Sequence, residues 1–189
     1  MAEIKGVLLS AWMNFLKNRY GAEAVASAMS GLDPAEQARL SAPFLPSSWY
    51  PYDTLHMLRH LTQPLATAAD RNLSSEIGAF MAEHAFTGVY HSLLEHDPIR
   101  QVQKFTWIGE FFFNEARTLE TEITGEASCV VRYRYQPGAN PTSAICTSLG
   151  AFWKRTVELA GASNVKAAHP KCVANKDACC EFTFSWERT

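Results

Sequence analysis

Long apolar runs are missing from this 189-residue chain. No stretch approaches the roughly 20 residues that a bilayer-spanning helix needs, so a membrane span is not expected. Runs of lysine and arginine are missing too. Seventeen Lys and Arg stand against 19 Asp and Glu, a formal charge of −2, which speaks against a broad basic face and so against generic nucleic-acid binding. The opening residues carry one lysine and a short apolar stretch, then Lys17 and Arg19, with no small-residue cleavage site. A secretory leader is therefore not expected, and a cytoplasmic protein is. Five cysteines, an odd number, argue against a secreted disulfide framework. Catalytic signatures are also lacking: there is no Gly-x-Ser-x-Gly, no phosphate loop and no dinucleotide glycine motif. His56 and His60 stand four apart, but Met57 occupies the place of the glutamate in His-Glu-x-x-His. Glu95, Asp97, Glu110 and Glu115 form no persuasive acid–base pair. An enzyme is not expected.

What is present is ordinary globular material tilted towards aromatics, 47% hydrophobic and 12% aromatic. The length fits a single domain over 1–189, able to bury roughly 70% of its unfolded surface. Residues 1–113 read as helical. Val7, Leu8, Ala11, Trp12, Phe15 and Leu16 repeat at three and four over Ile4–Tyr20, and Gly21 can end that helix. Asp33-Pro34 and Asp97-Pro98 pair an N-cap with a proline at the first helical position. The longest helix is expected over Ser74–Leu94, and another runs from Asp97 to about Phe113. From 114 the period changes. Arg117–Ile123 and Cys129–Tyr135 alternate as strands, Thr142–Leu159 is helical, and Val165–His169 and Cys180–Trp186 read as closing strands. The pattern predicts an α+β fold: helices first, then a small antiparallel sheet of about four strands with one long helix between strand pairs.

Cysteine placement carries the sharpest chemical signal. Cys172 and Cys180 flank the turn chemistry of Asn175-Lys176-Asp177, His169 lies three residues before Cys172, and Cys146 sits on the preceding helix. Three thiolates and an imidazole suit Zn²⁺ in a closed tetrahedral shell, which would make the site structural. The alternative is buried free thiols, a common fate of cysteine in cores. Cys129 and Cys179 are assigned to packing.

The segment from Cys146 to Phe182 resembles the C-terminal half of the 4-vinyl reductase domain, a sensory module of phenol-responsive activators. That domain belongs to a superfamily with haem nitric-oxide sensors and TRAPP vesicle-tethering subunits. The steps of 23, 3 and 8 between Cys146, His169, Cys172 and Cys180 match its aromatic-sensor members, with His169 where those carry a carboxylate. The resemblance implies zinc ligands on those four positions. Over the whole chain, several features resemble an uncharacterised family expanded in myxobacteria: Lys5-Gly6-Val7, Gly21 after Arg19-Tyr20, Trp49-Tyr50-Pro51, Cys146–Gly150 and Cys180-Glu181-Phe182.

The function this implies is a non-enzymatic sensory module. Its small hydrophobic or aromatic ligand would sit among Phe80, Trp107, Phe111, Phe112, Tyr133 and Trp153, which otherwise are plain core. A homodimer and a partner protein for signal output go with that reading. The alternative is an interaction or scaffold subunit of TRAPP-like fold with no ligand. A third reading is haem and nitric-oxide sensing, with one of His84, His91 or His96 on the iron. Against it, the porphyrin-clamping Tyr-x-Ser-x-Arg motif of the haem sensors is missing, and Tyr133-Arg134-Tyr135 is not that motif.

Overall fold

The apolar stripe of the first helical segment folds as expected, but it starts later. In the computed structural model, which describes residues 2–114, 117–136 and 141–187, Glu3–Lys5 is a strand, β1. Helix α1 follows over Gly6–Tyr20 and buries Val7, Leu8, Ala11, Trp12 and Leu16. It stops at Gly21, whose φ of 87° suits a residue without Cβ. Next come α2 (Ala22–Ser30) and α3 (Pro34–Ser41). The Asp33 side chain caps α3 by accepting from the Ala35 and Glu36 amides. Strand β2 (Trp49–Pro51) and α4 (Thr54–Thr62) complete the first half.

Helix α5 covers Leu73–Thr87 and ends before Gly88, with a 3₁₀ turn over His91–Leu93 instead of a continuous helix to Leu94. The segment expected as one helix to Phe113 is two, α6 (Pro98–Gln103) and α7 (Phe105–Phe112), which break at Lys104. It then runs into β3 (Phe113–Asn114). Strands β4 (Arg117–Gly125) and β5 (Ser128–Tyr135) form the expected hairpin. Helix α8 spans Ser143–Leu159 with Thr142 as its N-cap. Strands β6 (Ser163–Lys171) and β7 (Cys180–Glu187) close the chain.

The architecture is α+β, with antiparallel pairing throughout. The main sheet has the order β4-β5-β7-β6, and a second sheet, not foreseen from sequence, has the order β2-β1-β3. One face of the main sheet carries Cys129, Val131 and Tyr133 of β5 and Cys180, Phe182, Phe184 and Trp186 of β7, all buried. That is the period-2 pattern of a half-buried sheet. Helix α8 lies in the core with Phe152 and Trp153 almost wholly enclosed, and α5 packs closely along it. The approach requires Gly78: a Cβ there would stand 1.9 Å from the Ser148 carbonyl oxygen. Ser148 fixes the crossing by donating its hydroxyl to the Ser74 carbonyl at 2.8 Å.

Candidate functional site

Two clusters of chemically able side chains lie where the first turn of α8 meets the strand ends. The first is built from sulfur. Cys146 stands in the opening turn of α8. Cys172 follows β6 and is shaped by a tight loop: its amide donates to Asp177 Oδ2 at 2.8 Å, and its carbonyl accepts from the Asn175 amide at 2.8 Å. Lys176 there takes the left-handed φ of 72°. Cys180 opens β7. The Cys146 and Cys180 sulfurs are 3.4 Å apart, those of Cys180 and Cys172 are 3.9 Å apart, and all three lie within 4.8 Å of one another. Cys180 is held below the usual thiol range, first by the hydrogen bond from Cys146 and also by the Val173 amide. Cys146 is pushed up by the same bond and by burial.

His169 is not among the three close sulfur ligands, but it borders them: its side chain hydrogen-bonds towards Cys180 and helps to hold that thiol down. The regular β6–β7 register, in which Ala167 lies opposite Phe184 and Ala168 opposite Thr183, lays the His169 ring on Phe182, with centroids 4.0 Å apart.

The second cluster centres on a cation. Arg117 opens β4 on the inward phase it shares with Leu119, and it is only 7% exposed. Its guanidinium carbon lies 3.6 Å from the Phe113 ring centre and 4.7 Å from that of Tyr133. Among the described residues, none of Nε, Nη1 and Nη2 finds an acceptor. Tyr52 packs edge-on to Phe113 at 6.5 Å, and its buried hydroxyl also lacks a partner. Tyr133 accepts a short bond from the Trp153 indole N–H, and Tyr135 Oη stands 3.9 Å from Cys146 Sγ. Burial pushes the Tyr52, Tyr133 and Tyr135 hydroxyls up, so all three stay neutral at physiological pH. Sequence reading missed this cluster. Its only signal was an arginine in phase with the buried residues of an alternating strand.

Of the six aromatics expected around a ligand, Phe112, Tyr133 and Trp153 belong to the buried core and Phe80 and Phe111 pack against it. Phe112, Tyr133 and Trp153 are fully buried. Trp153 packs on Phe105 and Phe152 with centroids at 4.2 and 5.1 Å, and Phe112 packs on Phe86 and Phe152 at 5.9 and 6.1 Å. Trp107 is half exposed and meets Phe111 at the rim. The ring contacts of Phe80 are with Phe15 and His84. A groove of about 430 Å³ lies elsewhere, between α5, α8 and β6, and His169 and Phe182 are among its lining residues.

No protein-family model matches the chain, and no curated protein matches it in sequence. Solved structures do match in fold. An H-NOX protein from S. oneidensis, in the Fe(II) state and carrying three substitutions, aligns at a TM-score of 0.71 with 12% identity, over 98% of this chain and 97% of its own. The Fe(II) unliganded H-NOX protein of K. algicida, in a mutant form, gives 0.67 and 13%, over 98% of both chains. An oxygen-binding H-NOX domain related to soluble guanylate cyclases gives 0.68 and 8%, over 98% and 96%. The chain therefore has the H-NOX fold.

Two expectations fall with that result. The likeness to the 4-vinyl reductase and TRAPP domains, and to the myxobacterial family, does not stand. It rested on a few residues and one cysteine spacing, and the whole-chain fold is that of the H-NOX proteins. Structural zinc on Cys146, His169, Cys172 and Cys180 does not stand either. The similar structures are described by Fe(II), heme and oxygen, although the three expected sulfur ligands do come together.

Proposed function

We propose that the chain is a non-catalytic sensory module of H-NOX type that holds a small ligand between its helical layer and its main sheet. The observation that carries the reading is that the H-NOX fold accounts for 98% of the chain at TM-scores up to 0.71. A signal from such a module would pass to a partner protein.

Haem-based gas sensing is favoured by the same neighbours over the apolar-ligand reading, one of them being described by its heme redox potential. Haem iron needs an axial donor, most often an imidazole. The chain's six histidines do not supply one in the interior. His60 pairs with Glu36 at 3.0 Å and His84 stacks on Phe80. His91 lies within hydrogen-bond distance of the Gly88 carbonyl, and His96 is exposed. His56 is half-buried on α4, and His169 faces Phe182. Helices α6 and α7 hold no histidine at all. The space between the layers near Trp153 is occupied by the mutually packed rings of Phe105, Phe112 and Phe152. These residues do not fit an imidazole-ligated haem, and this reading takes the ligand to be another small molecule.

Haem titration of the purified chain tests this directly. The expected result is no stoichiometric Soret band surviving gel filtration. A stable one-to-one band that shifts with nitric oxide would replace this reading with haem sensing.

A further inference from the structure

Arg117 poses a physical problem that its surroundings do not solve. An arginine in a protein is always protonated, and taking a charge out of water is costly unless it is paired. Here the guanidinium is buried, three of its nitrogens lack acceptors among the described residues, and the nearest ionisable side chains are the neutral phenols of Tyr52, Tyr133 and Tyr135. The Tyr135 hydroxyl is placed to hydrogen-bond the guanidinium. One neutral phenol could accept from one of five N–H donors, and the charge would remain. Phe113 and Tyr133 lie against the guanidinium with their rings, which compensates only part of the lost hydration. A second buried donor, the Tyr52 hydroxyl, has no partner among the described residues and lies close enough to feel the Arg117 charge.

We propose that Arg117 and Tyr52 anchor a buried site for a small organic monocarboxylate. One unit of positive charge with a forked set of donors matches one carboxylate in the bidentate geometry typical of arginine. The Tyr52 hydroxyl adds a third donor. No lysine or second arginine is seen against this cluster among the described residues, so a dianion such as phosphate would stay half compensated. The rings of Phe113 and Tyr133 give the carboxylate an apolar frame that suits a hydrocarbon or aromatic body. The inference rests on the sensory reading only for its purpose, since it names the ligand class of that reading. The rival counter-charge is the Cys180 thiolate, which also acts electrostatically on Tyr52 and Tyr133.

The test is thermal unfolding of the full chain, followed by intrinsic fluorescence, with sodium benzoate, sodium acetate, inorganic phosphate or sodium chloride at matched ionic strength. Benzoate is expected to raise Tm by several degrees and chloride to leave it unchanged. R117M should lose the response, Y52F should weaken the apparent Kd by about tenfold, and C180S should keep it. R117K retains the charge without the fork, and it should fold and bind more weakly than the parent. Equal shifts in the parent and in R117M or R117K would overturn the site, as would no carboxylate response at all. A response to phosphate alone would overturn the carboxylate assignment, and loss of the response in C180S would hand the counter-charge to sulfur. Carboxylate binding with no change in any partner interaction would leave the site standing and remove the sensory reading.

Discussion

At the scale of single residues, charge is handled in opposite ways at two places. Asp70 sits among donors: the Thr67 amide and hydroxyl, each at 2.8 Å, and Arg19 Nε at 2.9 Å. Its carboxyl is held well below the usual range, first by the Thr67 amide, then by Arg19 and the Thr67 hydroxyl. A carboxylate with a depressed folded-state pKa stabilises the fold above its unfolded value of roughly 4, and that contribution is lost as pH falls through the folded value. We expect Asp70→Asn to lower Tm at pH 7 and to flatten the fall in Tm between pH 5 and pH 2. Melting curves across that range check it, and parallel curves for the two proteins would remove Asp70 as the source. Arg117 is the reverse case, a set of buried donors without acceptors of good geometry among the described residues. The helix caps at Asp33 and Asp97 could be read from sequence because capping is decided within three residues. The burial of Arg117 could not, since it depends on Phe113 and Tyr133 arriving from two other strands.

At the scale of elements, periodicity located most helices and strands but misjudged where some of them stop. Ser74–Leu94 kept an apolar repeat past Gly88, yet α5 ends at Thr87. The residues after it pack through Tyr90 on Phe111 and Phe112 as a turn, not as a helix face. The cysteine steps put three sulfurs close together. They did not reveal that His169 would stack on Phe182, because spacing along the chain does not say which residue of the neighbouring strand lies opposite. The α5–α8 crossing was not legible either, because a glycine in a helix marks close approach only once its neighbour is known. With Ser148 O at 1.9 Å from the position of a Cβ, Gly78→Ala must push the helices apart. The intrinsic helix preference of alanine, about 1 kcal/mol over glycine, opposes that strain. Overpacking in a tight core costs about 1–3 kcal/mol, and here the clash is with backbone, which cannot rotate away. Urea unfolding should therefore find the variant less stable by about 2 kcal/mol. A variant as stable as the parent would mean that the crossing adjusts freely.

At the scale of the whole molecule, the α+β class and the helix-then-sheet order were legible because each rests on local period. The second sheet was not. Its three strands come from residues 3–5, 49–51 and 113–114, each too short to show alternation, and only the fold brings them side by side. β1 is the central strand, with Ile4 opposite both Tyr50 and Phe113 and wholly buried. It fixes Phe113, and through Phe113 the floor beneath Arg117 and Tyr52. Ile4→Ala leaves that sheet paired but hollow, and truncations of this kind cost about 2–5 kcal/mol. Beyond this loss, the variant should weaken benzoate binding at Arg117 without touching any residue of that site, because the Phe113 ring would no longer be held at 3.6 Å from the guanidinium. Tm and benzoate Kd measured on the same preparation separate the two effects. Lower stability with an unchanged Kd would mean that the small sheet supports the fold alone and that the Arg117 cluster is positioned from the main sheet.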